Sequence, residues 1–326
     1  MRVPAAGDHG GDGRLVAASL GLDADAVLDL SVSLNPFAPD LTPIVAAHLA
    51  SGALRRYPDR CELETATCAL ARVIGVEPER VLLTNGGAEA IALVAAELGR
   101  GWAEEADFSL YRRHIEILDP TGARFASDPH NPTGRLAPPG ATAAVWDEAF
   151  YPLATGCWTA PGRTDASIVV GSLTKVFACP GLRVGYVVVP SDDGAALGVP
   201  TLGARLARRQ PHWSVGPLVL GALPELLAMA EPERWARAVA TRRGELVAVL
   251  ESHGLAPLPS DANFVLVPGA VGLRSALATR GVVVRDCASF GLADHVRIAV
   301  PSEEGLARLD AALSVWAASA PDRGSR

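Results

Sequence analysis

A chain of 326 residues exceeds the usual size of one compact core, so one large domain with a smaller lobe is the default arrangement. Its 49% hydrophobic and 20% charged content is ordinary globular composition, and a net charge of −7 gives no electrostatic basis for holding nucleic acid. Taken in chain order, residues 1–15 are rich in Gly and Asp and start no regular element. "VLDLSVSLNPFAPD" is a short extended segment stopped by Pro36 and Pro39. From Glu62 to Ile74 the apolar positions recur at helical spacing, with Gly75 as the C-cap. "RVLLTNGGAEAIALVAAEL" reads as strand, glycine turn and helix, the repeating unit of an α/β sheet. "AAVWDEAF", "ASIVVGSL" and "GYVVV" are short and apolar enough for central strands. After Pro190 long amphipathic stretches (Pro217–Met229 and Pro232–His253) alternate with "NFVLV", "GVVVRD" and "VRIAV". The expected organisation is an N-terminal arm over residues 1–45 that packs on the small domain, a large α/β domain over 46–205, and a small α+β domain over 206–326.

Five cysteines (Cys61, Cys68, Cys157, Cys179 and Cys287) form no C-x-x-C pair. That argues against a zinc site or a disulfide framework and suits a reducing cytoplasm. No uncharged apolar run reaches the ~18 residues of a membrane span, and the N-terminus lacks the apolar centre of a signal peptide. The expectation is a cytoplasmic protein without a metal, a membrane or a nucleic-acid partner.

Taken singly, the polar motifs are ordinary. "TNGGAEA" places the N–H groups of Gly86, Gly87 and Ala88 at a helix start, which is either an anion site or a tight turn. "HNPTG" is a turn by composition, and Asp147 in "WDEAF" ends an apolar strand. Lys175, in "GSLTKVFACPGLRVGY", is the chain's one lysine. Their order gives them a joint meaning, because every member has a task around pyridoxal phosphate. Lys175 is the amine for the aldehyde, and Asp147 keeps the pyridine nitrogen protonated. Asn131 donates to the ring hydroxyl, and Gly87, Ala88, Ser172, Thr174 and Arg183 hold the phosphate.

On "SLTKVFACPGLRVGY", "HNPTG" and "DEAF", the chain resembles fold-type I pyridoxal-phosphate enzymes, the aspartate aminotransferase superfamily, over nearly its whole length. The resemblance implies an α/β fold with a mostly parallel central sheet and a smaller α+β domain. It also implies that Phe108 stacks on the cofactor ring and that Arg297 clamps the substrate carboxylate. "DHGGD", "LDLSVSLNPFAP", "HWSVGPLVLGAL" and "VVVRDCASF" are similar to the L-threonine-O-3-phosphate decarboxylase branch of cobalamin biosynthesis, a near relative of histidinol-phosphate aminotransferase. That likeness implies substrate-phosphate roles for His9 and Arg285, an Asn35 facing the substrate, and a homodimer in which Tyr57 reaches the partner's phosphate pocket. The implied reaction is decarboxylation of threonine phosphate, or of an analogue such as serine phosphate. The alternatives are an aminotransferase of a phosphorylated amine and a non-catalytic protein that kept the fold.

Two departures stand out. Phe150 occupies the position where the family usually carries a phenol three residues after the pyridine-binding Asp. The stretches from Phe108 to Asn131 and from Asn131 to Asp147 are short, and Pro138-Pro139-Gly140 forbids a regular helix in the second. The expectation is a trimmed large sheet, with at least one strand and its crossover lost or reduced.

Overall fold

The computed structural model describes residues 3–191 and 200–319. The N-terminal part carries α1 (Gly13–Leu20), β1 (Leu28–Leu30), α2 (Thr42–Ala50) and α3 (Arg60–Ile74). Helix α1 thus begins inside the stretch expected to be irregular, anchored where the Gly13 N–H donates to Asp29 Oδ2 at 3.0 Å. Helix α3 starts where the Asp59 carboxylate accepts the Cys61 and Glu62 N–H groups and stops at Gly75, whose φ of 85° a side chain would resist.

The large sheet comprises β2 (Val81–Thr84), β3 (Arg100–Trp102), β4 (Ile117–Leu118), β5 (Ala123–Ser127), β6 (Val145–Asp147), β7 (Ile168–Ser172) and β8 (Gly185–Val188). Their order is β2-β8-β7-β6-β5-β3-β4, and only β8 runs antiparallel to its neighbours. Between these strands lie α4 (Gly87–Leu98), α5 (Leu110–His114), α6 (Tyr151–Thr155), α7 (Arg163–Ala166) and α8 (Leu173–Val176). They are followed by α9 (Leu202–Arg209), α10 (Pro217–Ala228) and α11 (Pro232–Ser252). Strands β7 and β8 are buried along their whole length. The period-two alternation of a strand divides their valines between two cores. Val169 and Val188 pack with Leu70 of α3 and Leu220 and Leu223 of α10. Val170 and Val187 pack with Ile91 and Val94 of α4 and Leu206 of α9.

The expected loss of a strand is corrected: seven strands are present. What is reduced is their length and their connections. Strand β4 has two residues, and the chain returns from it across β3 through Gly122. A Cβ there would lie 2.8 Å from the backbone of Arg100 and Gly101, so only glycine permits the crossing. Residues 128–144 join β5 to β6 without any helix, as the Pro-Pro-Gly sequence requires. Hydrogen bonds fix this loop instead: Ala137 N–H donates to Asp128 Oδ1 at 2.9 Å and Leu136 N–H to Asp261 Oδ2 at 3.0 Å.

The C-terminal part adds β9 (Phe264–Val267), α12 (Leu273–Ala278), β10 (Val282–Asp286), β11 (Val296–Ala299) and α13 (Glu303–Ser319). A second sheet, β1-β10-β11-β9, takes its first strand from the N-terminal segment. Its core joins Val265, Val284 and Ile298 to Leu250 of α11 and Leu309 of α13. Helix α11 serves both cores, since its Trp235 packs with α3 and α10.

Candidate functional site

A cavity of about 200 Å³ lies between the carboxyl ends of the large sheet's strands and the second sheet. Ligand sites of open α/β sheets fall at such strand ends. From the large sheet come Asn131 after β5, Asp147 ending β6, Ser172 ending β7, and Gly87 and Ala88 at the start of α4. Thr174 and Lys175 on α8, Arg183 and Phe108 complete that side. His9, Gly10, Ser31 and Ser33 of the N-terminal arm face them, with Arg285 from β10 and Arg297 from β11. Twelve of the fourteen residues singled out in the sequence therefore meet in one place; Asn35 and Tyr57 do not.

Lys175 is half-buried. Burial and the charges of Arg297 and Arg183 push its amine down to about 8, while Asp147 opposes them. An amine so placed is partly neutral near pH 7 and able to act as a nucleophile. Asp147 accepts from the Tyr111 hydroxyl at 2.9 Å and from the Ala149 N–H at 3.0 Å. Desolvation pushes its carboxyl up to about 6, aided by the negative charge of Asp107 and opposed by those two hydrogen bonds and by Lys175. Asp147 has only neutral hydrogen-bond donors and makes no salt bridge among the described residues.

Asn131 is fixed from both ends. Its N–H donates to Ser127 Oγ at 2.8 Å, and its Oδ1 accepts from Arg297 Nη1, leaving the Nδ2 donors for the cavity. Arg297 is buried over the Phe264 ring at 4.6 Å, and its Nε has no partner. Burial pulls its guanidinium down to about 10. Phe150 packs edge-on against Phe264 with ring centroids 5.1 Å apart, so this wall offers the cavity no hydroxyl.

The turn before α4 forms an anion cradle. Gly86 has φ 81°, Ser172 Oγ and Thr174 Oγ1 are 2.8 Å apart, and Arg183 reaches back to the Asn85 carbonyl at 3.4 Å. Gly185 of β8 runs directly beneath the turn. A Cβ at Gly185 would stand 2.5 Å from Gly86 C and Gly87 N, with backbone on every side. We expect Gly185→Ala to fold with the cradle displaced and to bind a phosphate-bearing cofactor at least about tenfold more weakly. A titration of the purified variant that matched wild type would contradict this.

Three placements differ from the sequence reading or add to it. Asn35 does not face the cavity: its N–H donates to the Lys175 carbonyl at 3.0 Å, its Nδ2 to the Val176 carbonyl at 2.9 Å, and its Oδ1 accepts from Phe37 N–H. A buried amide between two chain segments is consumed by backbone groups that would otherwise go unpaired. Tyr57 lies outside the cavity on the surface, stacked at 4.4 Å on the exposed Trp213. Arg285 lines the cavity but spends Nη1 on the Gly7 carbonyl at 3.1 Å and Nη2 on the Asp8 carbonyl and on Ser289 Oγ at 2.8 Å.

The sequence reading missed Tyr111 and Asp107. Tyr111 stands three residues after Phe108, a spacing that a helical turn brings onto one face. The buried Asp107 accepts from Ser127 Oγ at 2.6 Å, Ser127 N–H at 3.1 Å and Phe108 N–H at 2.7 Å, linking the segment of Phe108 to that of Asn131. Arg163 stacks 4.2 Å over Trp146 and bridges Asp128 at 2.7 Å and Glu148 at 2.5 Å, tying together the residues that flank Asp147.

The residues fit pyridoxal 5'-phosphate. A desolvated carboxylate without a cationic partner, a lysine with a lowered pKa and a helix-start anion cradle match a pyridine nitrogen, an aldehyde and a phosphate in turn. Fold and site together define a fold-type I pyridoxal-phosphate enzyme. The chain belongs to the class I and II aminotransferase family, whose profile matches residues 104–313. It is 30% identical to a threonine-phosphate decarboxylase of Salmonella typhimurium, over 94% of this chain and 95% of that protein. It is 29% identical to a histidinol-phosphate aminotransferase of Halorubrum lacusprofundi, over 92% of each. Its fold matches histidinol-phosphate aminotransferase from Sinorhizobium meliloti in complex with pyridoxal-5'-phosphate, with a TM-score of 0.77 at 20% identity, over 97% of this chain and 95% of that one. Among the described residues, no helix is long and apolar enough to cross a membrane, and no cluster of His, Cys, Asp and Glu could hold a metal ion.

Proposed function

We propose that this chain is a pyridoxal-phosphate-dependent carboxy-lyase that converts L-threonine O-3-phosphate, or a close analogue such as serine phosphate, to an amino-alcohol phosphate, a step suited to cobalamin biosynthesis. The observation that carries the reading is a second group of phosphate-binding character in the cavity wall, the Arg285 guanidinium with the His9 ring as a neutral donor, apart from the Arg183 cradle that serves the cofactor's own phosphate. A substrate carrying both a carboxylate and a phosphate uses both this group and Arg297. The likeness to the Salmonella decarboxylase supports the same choice.

When bound, pyridoxal phosphate supplies an electron sink for a bond broken at the substrate Cα. The chain's residues do the rest. Gly87, Ala88, Ser172, Thr174 and Arg183 hold the cofactor phosphate, and Phe108 covers the ring. Asp147, braced by the Tyr111 hydroxyl, holds a proton at the pyridine nitrogen. Asn131 donates to the ring oxygen without help from residue 150. The Nζ of Lys175 would hold the aldehyde and, once free, would carry the proton for the substrate carbon. Arg297, with Nε free, orients the carboxylate, and the orientation it imposes selects which Cα bond breaks.

The second reading is transamination of histidinol phosphate or a similar phosphorylated amine, favoured by the likeness to the Halorubrum aminotransferase. Purified protein loaded with cofactor and given threonine phosphate, serine phosphate and histidinol phosphate separates the two. Carbon dioxide released without added 2-oxoglutarate is the expected result. Keto-acid-dependent product without carbon dioxide would establish the second reading, and neither product would identify a catalytically silent relative. The working unit we propose is a homodimer, with the exposed Tyr57 serving the neighbouring site; an active monomer would contradict that role.

A further inference from the structure

Arg163 stands on α7, and side chains from three other segments enclose its guanidinium. The group lies 4.2 Å over the Trp146 ring of β6 and 5.6 Å over the Tyr151 ring of α6. Its Nη2 meets Asp128 Oδ2 at 2.7 Å, and its Nη1 meets Glu148 Oε1 at 2.5 Å. Both carboxylates are buried, and neither has another ionic partner among the described residues. Two buried carboxylates on one cation are costly to assemble, and stranding them without it costs more. The aromatic faces and the planar fork hold the guanidinium in a single orientation.

The two anions sit beside the residues assigned to the cofactor ring. Asp128 opens the helix-free loop from β5 to β6, three residues before Asn131, and Glu148 directly follows Asp147. The Asp128 N–H donates to the Asp147 carbonyl at 2.9 Å, so the backbone joins the two strand ends and Arg163 joins their side chains. Each carboxylate also fixes its own loop: Asp128 Oδ1 accepts from Ala137 N–H at 2.9 Å, and Glu148 Oε1 from Ala160 N–H at 3.1 Å. Asn131 and Asp147 line the cavity and Arg163 does not, so it acts on a ligand only through them.

We propose that Arg163 is a positioning residue that holds Asn131 and Asp147 in mutual register, so that one cofactor ring meets both of them, the hydroxyl at Asn131 and the pyridine nitrogen at Asp147. This rests on the ring contacts assigned to those two residues, and it applies whichever Cα bond is broken. Without the guanidinium, repulsion between Asp128 and Glu148 parts the strand ends that carry the contacts. A ring then satisfies one contact at the expense of the other.

The test measures equilibrium binding of pyridoxal phosphate and of two analogues to the full-length protein. The first, 3-deoxypyridoxal phosphate, lacks the hydroxyl; the second, 1-deazapyridoxal phosphate, lacks the ring nitrogen. Wild type is expected to favour pyridoxal phosphate over each by about tenfold or more. Arg163→Met should reduce both preferences to about twofold. Arg163→Lys should keep part of them, because an ammonium can reach one carboxylate but has no fork for two. The same comparison in Arg163→Met with Asp128→Asn and Glu148→Gln removes the stranded charges. There stability to urea should return while the lost preferences do not. Wild type without either preference would overturn the ring contacts of Asn131 and Asp147 and this assignment together. A wild-type preference that survives intact in Arg163→Met, or returns with stability in the neutral triple variant, would overturn the assignment of Arg163 alone.

Discussion

Lys175→Ala is expected to abolish turnover, with a loss on the order of 10⁴-fold. The chain has no other lysine, so no neighbouring amine can take over. Burial and the charges of Arg297 and Arg183 hold the Lys175 amine near 8, which no surface amine would share. Reduction of the loaded wild type with borohydride should fix one cofactor per chain, on the peptide that contains Lys175, and none in the variant. Lys175→Arg should be equally inactive although it keeps the positive charge, because a guanidinium stays protonated and is no nucleophile. A variant within about tenfold of wild type would remove Lys175 from the chemistry.

Asp147→Asn is the second large effect, with turnover expected to fall about 10²–10³-fold. An amide keeps the Tyr111 and Ala149 contacts but cannot balance a protonated ring nitrogen. The same residue governs a pH dependence of the cofactor-free protein. Its folded pKa of about 6 lies above the ordinary carboxylate value, so folding favours the protonated acid. The resulting stabilisation is complete below about pH 4 and is lost as pH rises through about 6. Between pH 4 and pH 7.5, wild type should therefore lose about 2–3 kcal/mol more stability than Asp147→Asn. Glu148, also raised to about 6 by burial, is common to both proteins and cancels in the difference. Urea unfolding at the two pH values measures it, and identical pH slopes would mean that Asp147 is well solvated.

How much of the site could be read in the sequence depended on how each residue acts. Asp147, Asn131, Lys175 and Arg183 sit at strand ends and turns whose local chemistry is visible in a short window, and the structure gathers all four. Asn35 shows the limit of that reasoning. The residue reads as a free amide in a proline-bounded arm, yet its Nδ2 serves the carbonyl of Val176, 141 positions away. Arg285 is similar, since its partners Gly7 and Asp8 lie at the other end of the chain. Tyr111 and Asp107 were hidden because a short helix and a two-residue strand leave too little periodicity to assign a face. The missing crossover helix was legible from Pro138-Pro139-Gly140, but the survival of all seven strands was not. Strands of two or three residues such as β3 and β4 carry no pattern of their own and exist through pairing.

By itself the sequence determined the class of chemistry. One lysine in the whole chain, with a glycine turn, an asparagine and an aspartate upstream in fixed order, leaves few other tasks for those residues. The tertiary structure decided which donors are spent and which are free: Arg285 is committed to backbone carbonyls, Asn131 is held by Arg297, and the Nε of Arg297 is left open. The physical reason is that a motif specifies donors and acceptors, whereas their saturation depends on partners that only folding brings within about 3 Å.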